Sequence, residues 1–223
     1  RHTRLQGDWS SDVCSSDLLY PNAAMPTHAM FVENRLRRIV GTGQVDAHVV
    51  APVPWFPFSS PRFGHYAAFA RTPREEVRHD IPVSHPRYLV VPKVGMMWQP
   101  KSYLAALRRE VRRLQRAGLT FDLIDAHYVY PDGVAAAQFG NEIGKPVVVS
   151  ARGTDLNLIA TLPGPGPVIR KAFDGFDKLI TVSRALAEQA VRLGMPESRV
   201  EVLRNGIDTE LFRPVEEIGR AHV

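Results

Sequence analysis

The stretch FDLIDAHYVYPDGVAAAQFGNEIGKPVVVSARGTD (121–155) decides the fold. It opens on an apolar run, passes through a Pro-Asp-Gly turn into an alanine-rich helical pattern, and ends on a second β-branched run. Strand, helix, strand in that order predicts a parallel pair with its crossover helix. Downstream the rhythm continues. Helices are predicted over Val168 to Phe173 and over Ser183 to Leu193, the latter capped by Ser183 and stopped by Gly194. Strands are predicted over Lys178 to Val182 and Arg199 to Leu203. The strands are near-continuous apolar runs, as expected where both sheet faces are covered.

Upstream the pattern is looser. Phe31 to Val40 reads as a helix ended by Gly41-Thr42-Gly43, and Val45 to Val53 as a strand. The stretch from Pro52 through Pro61 to Pro86 reads as a long excursion with little regular structure. Tyr88 to Val91 is a strand closed by Pro92, and Lys101 to Ala117 a helix stopped by Gly118. The expected fold class is α/β, a Rossmann-like, doubly wound parallel sheet.

Composition narrows the function. Of 223 residues, 44% are hydrophobic and 23% charged, which excludes a disordered tail, and no apolar run reaches the roughly 18 residues of a membrane span. One cysteine excludes a disulfide scaffold and a thiolate-built zinc or iron–sulfur site. The net charge of +5 suits anionic substrates or membrane surfaces.

Both ends have a character of their own. Residues 1–18 (RHTRLQGDWSSDVCSSDL) have no hydrophobic period, and DWSSDVCSSD reads as translated sequencing-adapter DNA. EIGRAHV (217–223) reads as the translation of its reverse complement. The expected organisation is therefore an adapter-derived segment at 1–18, a domain at 19–204, the start of an interdomain linker at 205–216 and a second adapter-derived segment at 217–223. On that reading both ends stay off the domain and the only cysteine plays no part in it.

In doubly wound folds ligands sit beyond the carboxyl ends of the strands. The polar residues there are His127, then Arg152-Gly153-Thr154-Asp155, then Ser183, then Asn205-Gly206. A histidine at such an edge holds a hydroxyl or phosphate, or passes a proton near neutral pH; a histidine bonded into a turn gives the same pattern. Gly153 permits close backbone approach. Asp155 either accepts from sugar hydroxyls or caps the following turn. His48, inside a strand, reads as structural, and His28, His65, His79 and His85 lack metal-ligand spacing. Lys101 to Arg116 carries Arg108, Arg109, Arg112, Arg113 and Arg116 against Glu110 alone: a solvated face, or a helix touching anionic lipid. GxGxxG, GxxxxGKS and GxSxG are absent, which disfavours a dinucleotide dehydrogenase, a P-loop NTPase and an α/β-hydrolase.

Five segments together resemble one family. LYPNAAMPTHAMFVE (19–33), DAHYVYPDG (125–133), VVVSARGTDLN (147–157), LITVSRALAEQ (179–189) and VEVLRNGIDTELFRP (200–214) are similar to family 4 retaining glycosyltransferases. The likeness is greatest to the branch that builds bacterial exopolysaccharide, capsule or teichuronic-type wall polymers. The resemblance implies one half of a GT-B fold, without its opening strand: the N-terminal, acceptor-side domain of an enzyme moving a sugar from a nucleotide-diphosphate sugar to a glycan or lipid-linked acceptor. It implies a catalytic role for His127, acceptor binding by Asn22, Arg152, Gly153 and Asp155, and an interdomain turn at Asn205 and Gly206. Relatives often have glycine where Ala29 stands. The donor-gripping glutamates, eight residues apart, have no counterpart here, so the fragment is expected to be inactive alone. No metal and no cofactor beyond the nucleotide-sugar co-substrate is expected, and no nucleic acid. The implied place is cytoplasmic, peripheral on the inner face of the plasma membrane through the Lys101–Arg116 helix. Two other classes fit the same segments: a GT-B sugar-nucleotide epimerase, and a non-catalytic acceptor-binding module.

Overall fold

The computed structural model describes residues 11–17, 20–90 and 95–206. Its centre is an eight-stranded sheet. In chain order the strands are β1 (Ser11–Asp17), β2 (Val45–Val50), β4 (Glu75–Arg78), β5 (Ile81–Ser84), β7 (Leu123–His127), β8 (Val147–Ala151), β9 (Lys178–Thr181) and β10 (Val200–Val202). Their spatial order is β10-β9-β8-β7-β1-β2-β5-β4. Every neighbouring pair is parallel except β4 with β5. Two short strands, β3 (Val53–Pro54) and β6 (Arg87–Tyr88), pair apart from this sheet. The helices are α1 (Met30–Val40), α2 (His65–Arg71), α3 (Gln99–Arg116), α4 (Val134–Ile143), α5 (Thr154–Asn157), α6 (Pro165–Ala172) and α7 (Arg184–Arg192). The mixed α/β class with a mostly parallel sheet is as expected.

The downstream half follows its sequence closely. Ser183 accepts the Leu186 N–H at 3.2 Å, the capping bond expected at the start of α7. Helix α6 begins at Pro165, three residues before the predicted start. A proline in the first turn forfeits no helical bond, so this proline-rich stretch enters the helix instead of preceding it. Helix α4 buries Val134, Ala135, Ala136, Ala137, Phe139 and Gly140. A Cβ on Gly140 would overlap Val147 and stand 2.8 Å from the Lys145 carbonyl oxygen, so the helix lies on β8 closer than any side chain allows. Gly140→Ala is therefore expected to destabilise the fold by about 1–3 kcal/mol through overpacking, although alanine is the better helix former. A urea melt showing the variant equal or more stable would refute this packing.

The upstream half corrects three expectations. The segment from Pro52 to Pro86 holds β3, α2 and the β4–β5 hairpin. Its two-residue turn, His79-Asp80, has φ of 52° and 64°, the doubly left-handed geometry that matches strand twist. Prolines masked these elements: Pro82 stands where β5 is paired with β4 and not yet with β2, and Pro61 opens a short 3-10 turn, so their missing N–H groups are harmless. The strand expected at Tyr88–Val91 is only Arg87–Tyr88 and pairs with β3; Val91 lies outside the described residues.

The third correction concerns the opening strand. Ser11–Asp17 fills the centre of the sheet, parallel to β2 on one side and β7 on the other. Asp12 and Asp122 exchange bonds at its start: the Asp12 N–H donates to the Asp122 carboxylate at 3.0 Å, and the Asp122 N–H to the Asp12 carbonyl at 2.7 Å. Val13, Cys14 and Ser15 are buried, and burial pushes the Cys14 thiol up to about 12. Thus these residues pack on the domain, and the opening position is occupied. The reason is the slot itself. Two facing strand edges need a partner for every N–H and C=O, and an extended segment of small side chains supplies them whatever its hydrophobicity. Residues 217–223 lie outside the described residues.

Candidate functional site

Strand β7 ends on His127, and β8 on Ala151, just before Arg152. On β7, Asp125 and His127 are two residues apart and share a face. The His127 Nε2 lies 3.3 Å from the Asp125 carboxylate, and Arg152 Nη2 lies 2.8 Å from its Nδ1. Guanidinium groups only donate, so Nδ1 accepts and the imidazole proton is placed on Nε2, facing Asp125. Burial alone would raise the Asp125 carboxyl; His127, Arg35 and Arg152 outweigh it and hold the group below the ordinary carboxylate range.

Two cations frame this pair. Arg152 is half-buried, stacks over the Phe31 ring with its guanidinium carbon 4.8 Å from the centroid, and donates to the Asn205 side chain at 3.2 Å. Arg35, on α1, donates to Ser150 Oγ at 2.9 Å. His127 itself is 1% exposed, so it is reached past Arg152. The arrangement can hold an anionic group at the two guanidinium ions and, once Arg152 turns outward, present an imidazole nitrogen that accepts a proton.

The loop after β8 is built around Asp155. Its carboxylate accepts the N–H groups of Val129 (2.9 Å), Arg152 (3.1 Å), Gly153 (2.8 Å) and Leu156 (3.1 Å), and its side chain is fully buried. Gly153 has φ 124°, a conformation that requires glycine. Asp155 thus ties the β7 and β8 loops together from within. Tyr128, directly after His127, has φ 83°, a strained value for a tyrosine, in the loop that carries the imidazole.

Asn22 stands elsewhere. It is buried, and its side-chain oxygen accepts from the N–H groups of Ala24 and Met25, closing a turn of its own. Ala29, at the start of α1, has φ 45° and ψ 42°, the left-handed region glycine prefers. The structure therefore gathers His127, Arg152, Gly153, Asp155 and Asn205 at one corner, with exposed Gly206 next in the chain, and leaves Asn22 outside it. Asp125 and Arg35 were missed in the sequence. The D-x-H spacing at 125–127 on a predicted strand signalled Asp125, whereas nothing local marked Arg35.

Several other titratable groups are tied into the fold. His48 bonds Ser84 Oγ at 3.0 Å, and burial lowers its pKa. His85 is buried between the Ala51 carbonyl (3.1 Å) and Glu76 (2.8 Å). On α3, Arg108 pairs with Glu142, Arg113 with Glu110 and Glu75, and Arg109 donates to the Arg87 carbonyl at 3.0 Å. Much of the basic run is thus matched within the domain. Among the described residues no helix is long and apolar enough to cross a membrane, and no cluster of His, Cys, Asp or Glu is placed to hold a metal ion.

Comparison with known proteins decides the family. A model described as Glycosyltransferase Family 4 matches residues 61–211. The chain belongs to that family. This family 4 chain is 28% identical over 203 residues to TuaC of Bacillus subtilis (strain 168), named for a glycosyltransferase role in teichuronic acid biosynthesis; the match covers 89% of the chain and 50% of TuaC. Its fold is similar to Anabaena Alr3699/HepE solved in complex with UDP, with TM-score 0.55 at 15% identity, covering 92% of the chain and 47% of that structure. It is also similar in fold to the UDP-GlcNAc 2-epimerase of Neisseria meningitidis bound to UDP-GlcNAc, with TM-score 0.53 at 13% identity, covering 87% and 47%. The family 4 chain spans about half the length of the relatives it matches.

Proposed function

We propose that the chain is the acceptor-side half of a retaining glycosyltransferase, which moves a sugar from a nucleotide diphosphate to a glycan or lipid-linked acceptor in cell-envelope polysaccharide synthesis. Membership of family 4 supports transfer. The observation that carries the site is the convergence of His127, Arg152 and Asn205 beyond the ends of β7, β8 and β10. In this reading His127 acts at the transferring sugar. Arg152 and Arg35 offset charge on the phosphates, and Asp155 with Gly153 shapes the loop that meets acceptor hydroxyls. The leaving phosphate takes the acceptor proton on the same face of the sugar, so the protein contributes mainly position and charge. Contact with an anionic membrane surface through Arg112 and Arg116 of α3 belongs to the same reading, as does a cytoplasmic place for the enzyme.

In this reading a second domain holds the donor base and diphosphate, so the chain alone is expected to transfer nothing. In a longer protein that includes it, His127→Ala is expected to lower turnover by roughly a hundred- to a thousand-fold while the melting temperature moves little. Steady-state transfer with both substrates varied, beside a thermal melt, checks this. Near-normal turnover would reduce His127 to a turn residue. Release of an isomerised sugar nucleotide with no acceptor present would favour epimerisation.

A further inference from the structure

Arg152 touches three parts of the chain at once. Its Nη2 lies 2.8 Å from Nδ1 of His127 at the end of β7, and its Nη1 donates to the Asn205 side-chain oxygen at 3.2 Å. The guanidinium carbon stands 4.8 Å over the Phe31 ring, near the start of α1. These contacts lie at different depths. His127 is 1% exposed, whereas Asn205 is exposed and Phe31 is 41% exposed. The side chain is therefore a bar that runs from the inside of the domain to its surface.

The bar is anchored unequally. At its root, the Arg152 N–H donates to the Asp155 carboxylate at 3.1 Å. At its inner end, His127 belongs to a strand paired on both sides and lies 3.3 Å from Asp125. The outer end differs. The Leu203 N–H donates to the Thr181 carbonyl at 2.9 Å, and residues 204–206 beyond it are exposed and belong to no strand or helix. Asn205 is thus the partner best placed to shift. A guanidinium holds two partners at a fixed spacing, so a shift at Nη1 is passed on to Nη2.

What Nη2 covers is chemically the open side of the imidazole. With Nε2 facing a carboxylate, Nδ1 carries the lone pair, and the guanidinium occupies it. Withdrawal of Arg152 does not strand Asp125. Both His127 and Arg35 also favour its charged form, and Arg35 is held separately on Ser150 Oγ at 2.9 Å.

We propose that Arg152 is a latch on His127 set by Asn205: in the present position of Asn205 the guanidinium covers Nδ1, and displacement of Asn205 uncovers it. Asn205 is then a positioning residue. Taking that displacement as the closing of two domains, which would bare the imidazole only in a cleft shut to water, rests on the transferase reading. The latch does not, and it is measured without transfer.

The test uses the whole 223-residue chain and diethyl pyrocarbonate at mildly alkaline pH, a reagent that acylates a neutral imidazole at an open ring nitrogen. Mass spectrometry of the digested chain follows His127 separately from the exposed His28, the internal reference. Arg152→Gln is expected to speed acylation of His127 by roughly tenfold or more, and Arg152→Lys, which keeps the charge but loses the fork, to do so in part. Asn205→Ala is expected to speed it by roughly threefold, the size of one surface hydrogen bond. Asn205→Asp is expected to slow it, because a charged acceptor grips Arg152 harder. In the Arg152→Gln background both Asn205 changes are expected to have no effect. Unchanged acylation in both Arg152 variants overturns the cover. Acceleration by Asn205→Asp, or Asn205 effects that persist without Arg152, overturns the coupling. A His28 rate that rises in step with His127 overturns it too, because the whole domain would then have loosened. Each of these results leaves the transferase reading standing.

Discussion

Removal of residues 1–18 is expected to abolish cooperative unfolding. Strand β1 sits between β2 and β7 and is paired residue by residue along both edges, so its loss opens two internal edges at once. Each buried donor or acceptor left without a partner costs about 1–3 kcal/mol, and a domain has only about 5–15 kcal/mol in total. Water entering the slot recovers part of this cost, but it cannot restore the burial of Val13 and Cys14. A gentler variant asks the same question: Ser15→Pro keeps the length but removes one N–H from a strand bonded on both sides. Circular dichroism melts of both variants provide the check. If the shortened chain melted cooperatively at the parent temperature, residues 11–17 would not belong to the sheet, and the reading of 1–18 as an appended segment would regain its structural meaning.

Asp155→Ala is expected to cost about 3–5 kcal/mol of folding stability, a larger loss than that of an ordinary surface acid. Four backbone N–H groups converge on this one carboxylate, from Val129 on the β7 loop and from Arg152, Gly153 and Leu156 on the β8 loop. None of them has another side-chain acceptor shown at that corner. Without the carboxylate the two loops separate and the Arg152–His127 contact loses its anchor. Asp155→Asn is expected to recover part of the loss, because the amide keeps one acceptor oxygen. Chemical denaturation of the three proteins ranks them. Wild-type stability in Asp155→Ala would show that the loops hold each other without it.

Legibility in the sequence differed sharply between the two halves. From Phe121 onward the strands are apolar runs, buried on both faces in β7 and β8 though not in β10, and Pro131-Asp132 and Ser183 mark where α4 and α7 begin, so most element types and the loop residues at their ends could be assigned by pattern. His127 and Arg152 were found this way, because position in a doubly wound sheet is itself informative. What Asp155 does was open, since a cap and a sugar ligand use the same side chain; only the bond directions separate them. β1 was invisible because SDVCSSD has no hydrophobic signal. Its place comes from the edges of β2 and β7, a long-range demand that no local window contains.

The two rims of the main sheet are unlike. At one, β4 runs antiparallel to its neighbour and carries Glu75, Glu76 and Arg78 around the exposed Val77. At the other, β10 ends the order with Val202 and Leu203 exposed beside a single charged residue, Glu201, and no strand among the described residues covers it. Charged residues repel a docking strand, whereas bare apolar ones invite it. Concentrated solutions of this chain should therefore associate through one rim only. Two such rims meeting across a two-fold axis would use each other up, and the charged rims left outside would halt growth, giving closed pairs instead of filaments.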